Sequence, residues 1–290
     1  MTRVLLTGGT GQVAQELAAL LSDPYLVGRP GFDFDHPETI ETAFLAARPA
    51  LVINAAAYTA VDAAESAVGP AWRANRDGPA RLAALCAGAG VPMIHISTDY
   101  VFDGAKGAAY VETDPTNPTG VYGASKLAGE RAVLERCPRA IILRTSWVYA
   151  ARGKNFLLTM LNARKRTDTL RVVADQRGTP TAAADLAAAI AAIAARLAEG
   201  WRESYAGIYH ATAQGETTWH GFASEIFAQA ARHGLTPPTI TPIATSDWPT
   251  PARRPADSRL DCAKLAATFG LRLPPWQEGV ARTVDAVLAA

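Results

Sequence analysis

Three side chains in the middle of the chain could together move a proton onto a carbonyl oxygen. Tyr122 and Lys126 are four residues apart at the start of a predicted helix, so both project from one helix face. An ammonium beside a phenol favours the phenolate, and we expect it to lower the tyrosine pKa towards the range in which a general acid works. Thr98 ends a predicted strand, and its hydroxyl could hydrogen-bond a substrate carbonyl. Thr98, Tyr122 and Lys126 are therefore predicted to be catalytic.

Ser97 offers a second hydroxyl one residue before Thr98. Successive side chains of a strand point to opposite faces of its sheet, so only one of the two can face a bound cofactor. A hydroxyl at a strand end, a tyrosine further on, and a lysine one helical turn later form the order expected of a dehydrogenase site.

A glycine turn near the start of the chain could bind a pyrophosphate. Gly8, Gly11 and Ala14 form a G-x-x-G-x-x-A pattern directly after the first predicted strand. There the backbone must turn sharply, and the following helix points its N-terminal amides at the phosphates. A plain strand-to-helix turn would use the same residues. The glycine pattern lies at the start of alternating strands and helices, and this position favours a dinucleotide site.

The end of the second predicted strand indicates which dinucleotide binds. Arg29 lies just beyond this strand, where an acidic residue would instead bind a free ribose 2′-hydroxyl. We therefore expect NADPH in preference to NADH, which remains possible. A solvated arginine in the turn 28–31 is the alternative. Asp33 and Phe34 follow and offer a polar group and an aromatic face to adenine, although Phe34 could equally be core.

A run of small residues follows the third predicted strand. Because a ligand can lie against the backbone there, Ala57, Tyr58 and Thr59 are predicted to form a wall of the cofactor site.

Short apolar strands alternate with amphipathic helices through the first half of the chain, which predicts a parallel sheet covered on both faces. The strands are expected at 4–6, 25–27, 51–53, 92–97 and 140–143, with helices near 13–21, 37–47, 71–87 and from 122 onward. After residue 149 the pattern loosens, and 170–173, 208–210 and 239–242 resemble isolated strands. We expect a nucleotide-binding domain over 1–150, joined by a returning strand near 207–212, and a smaller α+β lobe over 151–290.

Composition limits the partners. The 290 residues carry 28 basic and 27 acidic side chains, a net charge of +1, so neither nucleic acid nor a membrane surface is expected to bind. The three cysteines are odd in number and widely spaced, which excludes a disulfide framework or a zinc site and fits a reducing cytoplasm. The first apolar run is too short for a signal peptide, and the alanine-rich segment 186–195 is too short to span a bilayer.

Over nearly its whole length the chain resembles the extended short-chain dehydrogenase/reductase superfamily and, within it, the dTDP-4-dehydrorhamnose reductase family. The matching motifs are GGTGQV at 8–13, NAAAYTAVD at 54–62, STDYVFDG at 97–104, YGASKLAGE at 122–130, RTSWVY at 144–149 with NF at 155–156, and PTPARRPADSRLD at 249–261. The last motif is the most specific, because other dehydrogenases share the glycine turn and the Tyr/Lys pair but lack this tail.

The resemblance implies a Rossmann fold and NADPH-dependent reduction of the keto group of a nucleotide sugar, dTDP-4-dehydro-L-rhamnose, to dTDP-L-rhamnose for cell-surface polysaccharide. It implies Thr98, Tyr122 and Lys126 as catalytic, and it adds Gln12 and Val13 to the cofactor turn. It also implies that Tyr122 and Lys126 bind the cofactor, with Lys126 hydrogen-bonded to the nicotinamide ribose. The sugar-binding residues that it implies are Val61, Thr98, Asp99, Tyr100, Trp147 and Asn155. Arg253 and Arg254 suit a diphosphate but could equally be surface arginines.

Some members of the family hold a magnesium ion between subunits. Glu16 matches the first ligand, but Ala182, Ala183 and Ala184 occupy most of the second acidic cluster. We therefore predict no metal site, and a monomer or a weak homodimer.

Two other functions stay open. A sugar-nucleotide epimerase or dehydratase shares the fold and the Tyr/Lys pair, but a dehydratase needs an acidic pair after the hydroxyl, and here Asp99 is followed by Tyr100. A non-catalytic regulatory subunit of the methionine adenosyltransferase type also binds dinucleotide, although it would not need Thr98, Tyr122 and Lys126 together.

Overall fold

A six-stranded parallel sheet forms the centre of the computed structural model, which describes residues 3–289. Its strands, from one edge to the other, are β10 (Gly207–His210), β5 (Ala140–Thr145), β4 (Met93–Thr98), β3 (Leu51–Asn54), β1 (Val4–Thr7) and β2 (Pro24–Val27). Every residue of β1, β3 and β5 is buried, as expected for parallel strands with helices on both faces. The prediction of a doubly wound α/β fold is confirmed.

Helices cover both faces of this sheet. One face packs against α1 (Gln12–Leu20), α8 (Ala183–Glu199) and α10 (Ala263–Phe269), and the other against α2 (Glu38–Ala47), α5 (Gly78–Ala89) and α6 (Val121–Arg136). The alanine-rich segment belongs to α8, which buries Leu186, Ile190 and Ile193 in the core. Within residues 3–289, no helix combines the length and the apolar character that a membrane crossing requires.

Residues 61–89 depart from the single helix expected at 71–87. They form α3 (Val61–Ala64), α4 (Val68–Trp72), a π-helical turn (Arg73–Asp77) and then α5. The widened turn places Asn75 inside the protein, where its side chain is fully buried.

The rest of the chain builds a smaller α+β lobe, as predicted. It contains β6 (Val148–Tyr149), α7 (Phe156–Arg164), β7 (Thr169–Val173), β8 (Arg177–Gly178), β9 (Thr181–Ala182), β11 (Thr217–Thr218), α9 (Trp219–Ala231), β12 (Thr239–Ile243) and α11 (Trp276–Leu288). Phe222, Trp276 and Tyr149 lie at the centre of its apolar core.

Three strands that resembled isolated ones have partners. β7 pairs in parallel with β12 over five residues, and β10 extends the main sheet beside β5. For β7 and β12 the expectation of isolation was wrong, because a sequence pattern identifies an extended segment but not the distant strand that completes its hydrogen bonds. β10 lies where the returning strand was expected, near 207–212.

Candidate active site

The carboxyl ends of four strands meet at one edge of the main sheet. Thr7 lies opposite Asn54, and Thr98 lies opposite Thr145 at the end of the longer β4–β5 pair. The glycine turn that follows β1 and the catalytic candidate Thr98 therefore open onto the same edge, where open α/β sheets bind their ligands.

The glycine turn has the shape that a pyrophosphate needs. Gly8 has a φ of +109°, and a Cβ there would lie 3.0 Å from the carbonyl of Ala55. Gly11 donates its amide to the Gly8 carbonyl at 2.7 Å, and a Cβ on Gly11 would meet that same oxygen at 3.0 Å. Helix α1 begins at the next residue, Gln12, with Val13 in its first turn. The turn and the helix start fit a dinucleotide phosphate, since no side chain blocks the approach to the backbone.

Gln12 connects this turn to the second lobe. Its Oε1 accepts a hydrogen bond from Asn155 Nδ2 at 2.8 Å. The same amide group of Asn155 also donates to the carbonyls of Ala150 and Arg152, while its Oδ1 accepts from Leu158 N and caps α7. Asn155 thereby ties the lobe to the cofactor turn, and its predicted contact with the sugar stays a prediction.

The residues predicted to bind the adenosine end surround the loop after β2. Arg29 is exposed, and none of its neighbours within residues 3–289 forms an ion pair with it. Asp33 accepts the Asp35 amide at 3.0 Å. Phe34 meets Phe32 edge-on at 5.3 Å between ring centroids and lies against Gly78, so part of this ring belongs to the core.

The wall formed by Ala57, Tyr58 and Thr59 is held from behind by Asn75. Tyr58 N donates to Asn75 Oδ1 at 2.9 Å, and Asn75 Nδ2 donates to Tyr58 O at 3.1 Å. Asn75 Nδ2 also donates to Ser125 Oγ at 2.9 Å, next to Lys126 on helix α6. Sequence reasoning missed Asn75, because only the π-helical turn makes this polar residue face inward.

Ser97 and Thr98 point in opposite directions, as strand alternation requires. Ser97 Oγ donates to Glu130 Oε1 at 2.5 Å on the side of helix α6. Thr98 Oγ1 donates to Asp99 Oδ1 at 3.0 Å and accepts from Tyr100 N at 3.2 Å. Asp99 is only 1% exposed, and burial raises the pKa of its carboxyl to about 6 against the opposing effect of nearby hydroxyls. Thr98, and not Ser97, therefore belongs to the cleft.

Tyr122 and Lys126 both project from the first turns of α6 towards the carboxyl end of β4. The ring of Tyr122 meets that of Tyr100 edge-on at 5.7 Å, and Lys126, 2% exposed, donates Nζ to the Ile96 carbonyl at 2.7 Å. Burial lowers the pKa of the Lys126 ammonium to about 8, and the negative charge of Glu130 partly opposes this.

The expected depression of the tyrosine pKa is absent. Burial raises the pKa of the Tyr122 phenol to about 12, the hydroxyl of Thr98 lowers it less, and the charge of Asp99 raises it further. The expectation was wrong for this structure because burial is the largest influence on the pKa of the phenol, and the Lys126 ammonium is not among the groups that shift it. In the range where the lysine is charged, Tyr122 therefore holds its proton.

Two indoles stack on each other just beyond the carboxyl end of β5. Trp147, at a left-handed φ of 47°, stacks on Trp219 with 3.7 Å between centroids and an interplanar angle of 9°. Gly178 leaves room for them, since a Cβ there would lie 2.6 Å from Trp147 Cε2. Trp219 Nε1 donates to Gln176 Oε1 at 3.1 Å. Trp219 was missed, because nothing in the sequence links it to a tryptophan so far away.

The proline-rich tail, residues 249–261, is anchored to Asp62, the residue after Val61. Arg254 Nη2 pairs with Asp62 Oδ2 at 2.8 Å, and the Ala252 amide donates to the same carboxylate. A cavity of about 460 Å³ lies between this tail and the segment after β7. Its lining includes Asp175, Gln176, Thr245, Trp248, Arg253 and Arg254.

The acidic residue considered as a metal ligand has another partner. Glu16, on helix α1, forms an ion pair at 3.2 Å with Arg152 of the second lobe. In the part of the chain that the structure describes, no group of three or more histidine, cysteine or acidic side chains is arranged to hold a metal ion.

Known proteins resemble the chain over its full length. A family model described as the RmlD substrate binding domain matches residues 1–289. The dTDP-4-dehydrorhamnose reductases of Sinorhizobium fredii and Burkholderia thailandensis are both 45% identical to it, covering 99% of this chain and 98% and 99% of those proteins.

Two solved structures share the fold closely. A dTDP-4-dehydrorhamnose reductase from Clostridium acetobutylicum superposes with a TM-score of 0.89 at 35% identity. Another, from Bacillus anthracis and in complex with NADP, superposes with a TM-score of 0.90 at 33% identity. Each comparison covers 98% of this chain and 99% of the other.

Proposed function

Because the chain belongs to the dTDP-4-dehydrorhamnose reductase family, we propose that it reduces dTDP-4-dehydro-L-rhamnose to dTDP-L-rhamnose with NADPH. We place the reaction in the cytoplasm, where the thiols of Cys86, Cys137 and Cys262 stay reduced. Its product would supply the synthesis of cell-surface polysaccharide. Residues 151–290 form mainly the lobe that binds the sugar nucleotide, against the catalytic side chains of residues 1–150.

The observation that carries this proposal is the convergence of Thr98, Tyr122 and Lys126 on the edge of the sheet that also holds the glycine turn. Bound NADPH supplies the hydride that adds to C4 of the sugar. The Thr98 hydroxyl turns its one hydrogen from Asp99 Oδ1 to the C4 carbonyl oxygen and orients that oxygen. Tyr122 gives its phenolic proton to that oxygen, and Lys126 stabilises the phenolate left behind.

The sugar ring lies between two aromatic walls in this proposal. Tyr100 and Tyr122 form one, and the Trp147–Trp219 stack forms the other. Val61 and Asp99 complete the pocket, where apolar faces exclude water from the reacting carbonyl.

The test is the oxidation of NADPH by the purified chain in the presence of dTDP-4-dehydro-L-rhamnose. We expect stoichiometric loss of NADPH absorbance and formation of dTDP-L-rhamnose. An enzyme that carries tightly bound NAD and turns over without added nicotinamide would instead be an epimerase or dehydratase. Binding of dinucleotide without turnover, together with co-purification of a synthetase, would indicate a regulatory subunit.

We assign the nucleotide diphosphate to the cavity under the proline-rich tail. Its volume lies within the range of small-molecule sites. Trp248, 55% exposed at its rim, offers an indole face to the base. Arg254 is already paired with Asp62, whereas Arg253 forms no ion pair with a carboxylate of residues 3–289 and is free to bind phosphate.

Replacing Arg253 by alanine is expected to raise the KM for the sugar nucleotide about tenfold, the effect of one lost charge-assisted hydrogen bond, with kcat nearly kept. Steady-state kinetics and inhibition by free dTDP measure this. Arg166→Ala is the matched control, because that exposed arginine lines a separate cavity beside α7. An unchanged KM would move the diphosphate elsewhere.

Replacing Arg29 by alanine is expected to raise the KM for NADPH about tenfold and to leave that for NADH unchanged, because only NADPH carries the 2′-phosphate. The two cofactors are compared on the same preparation, so NADH serves as the control. Equal losses with both cofactors would show that Arg29 acts on the fold of the loop instead.

A further inference from the structure

Three charged side chains are buried together behind the catalytic cleft. Lys126 is 2% exposed, and Glu130 and Arg144 are each 1% exposed. Arg144 on β5 donates Nε to Glu130 Oε1 at 2.9 Å and Nη2 to Oε2 at 2.7 Å, a bidentate pair. Glu130 follows Lys126 by one turn of α6, so both lie on the same helix face.

Fold stability alone is a poor explanation for this cluster. The loss of hydration of buried ions offsets most of their attraction, and apolar groups of similar size often stabilise a protein better. Arg144 also leaves one guanidinium nitrogen, Nη1, without a hydrogen bond in the part of the chain that the structure describes, although its guanidinium lies 5.1 Å from the Phe102 ring centroid. The pair therefore calls for a role that an apolar substitute could not fill.

The carboxylate of Glu130 is fixed from three directions. Besides its two bonds from Arg144, it accepts the hydroxyl of Ser97 on β4 at 2.5 Å. Ser97 is the residue between Ile96, whose carbonyl holds Lys126, and Thr98, which faces the cleft. One carboxylate thus joins α6 to both β4 and β5, the elements that carry the catalytic side chains.

Resting on the proposed function, we propose that Glu130 is a positioning residue: clamped by Ser97 and Arg144, its carboxylate keeps Lys126 charged and in place beside Tyr122. The reaction needs that charge, because the phenolate left by proton transfer is stabilised by the ammonium.

Few other charges face the ammonium. His95 lies near it on β4, but burial lowers the pKa of this imidazole well below its ordinary value, and Lys126 lowers it further. The ring accepts the Asn54 amide at Nδ1 and is neutral. Tyr122, one turn earlier, is also neutral, since its pKa is raised to about 12. Glu130 is therefore the negative charge that opposes the desolvation of Lys126.

The sign of the pH effect follows. The ammonium is lost as the pH rises through the lysine pKa of about 8, so kcat should fall on the alkaline side. Glu130→Gln removes the negative charge that raises the lysine pKa, so this pKa should fall. We expect the alkaline limb of the kcat profile to move to lower pH by about one unit.

Two further variants separate this effect from damage to the fold. The double variant Glu130→Gln with Arg144→Met replaces the ion pair by uncharged side chains, so its Tm should be higher than that of the single variant. Its alkaline limb should still lie at a lower pH than that of the unaltered protein. Ser97→Ala removes one hydrogen bond but keeps the charge, so it should lower Tm and leave the limb in place. The kcat profile, Tm and NADPH affinity are measured for each.

A limb that stays at the pH of the unaltered protein in both variants lacking Glu130, whatever happens to Tm, would overturn the proposal. If the single variant does not fold, the double variant still decides. Failure of the unaltered chain to oxidise NADPH would refute the proposed function itself, whereas an active chain with an unmoved limb would refute only the role of Glu130.

Discussion

Tyr122→Phe is expected to lower kcat about 10³-fold, within the range for loss of a positioned general acid. The substitution removes the proton donor and keeps the aromatic ring that packs edge-on against Tyr100. Binding of NADPH and of the sugar nucleotide should change little, because the lost interaction acts mainly in the transition state. Steady-state kinetics together with NADPH titration by fluorescence would measure both effects.

The matched control is Tyr209→Phe. Tyr209 is fully buried and its hydroxyl donates a hydrogen bond to the Ser204 carbonyl at 3.1 Å, but it lies on β10 in the core of the sheet. Its loss should affect stability slightly and kcat hardly at all. A Tyr122→Phe protein with normal turnover would remove the general acid from the proposed mechanism and leave another group or water as the proton donor.

The fold could be predicted largely from local patterns. Short, mostly apolar runs of three to six residues mark β1, β3, β4 and β5, and each of these strands is where its run predicts. The pairing of β7 with β12 joins segments about 70 residues apart, and such partners leave no trace in a local pattern.

The site illustrates the same division between local and distant information. Helical spacing places Tyr122 and Lys126 on one face, and strand alternation separates Ser97 from Thr98. Glu130 was within reach of the same rule, because it follows Lys126 at the next helical turn. Its two hydrogen-bonding partners could not be predicted in this way, because Ser97 lies on β4 and Arg144 on β5.

The pKa of Tyr122 shows why chemistry is harder to predict than placement. The sequence places a lysine one helical turn after the tyrosine, but the pKa of the phenol depends on how far it is removed from water and on which groups come close to it. Segments that are distant in sequence meet in this region: Arg253 and Arg254 bond to Thr119 and Asp62, each more than a hundred residues earlier in the chain. The sequence identifies which groups interact, and the packing decides which influence is larger.

Lys126→Met is expected to lower kcat about 10²-fold or more, in the range measured when one stabilising donor at a developing charge is removed. Methionine keeps the length and fills the space of the lysine stem, so helix α6 should remain packed on β4. NADPH should also bind more weakly, because the ammonium is proposed to hold its ribose. The pH profile supplies a second readout: the alkaline limb near pH 8 belongs to this group and should disappear in the variant.

Lys264→Met is the control for this change. Lys264 also donates its ammonium to a strand carbonyl, that of Ile208 at 2.7 Å, but it lies exposed on α10 far from the cleft. The Lys264→Met variant should keep the kcat, the alkaline limb of the pH profile and the NADPH affinity of the unaltered protein. If Lys126→Met loses cofactor affinity but retains kcat at saturating NADPH, the lysine only binds the ribose, and the stabilisation of the Tyr122 phenolate must come from elsewhere. If kcat falls while the limb near pH 8 persists, that limb belongs to another group, and Asp99, whose pKa is about 6, is too acidic to account for it.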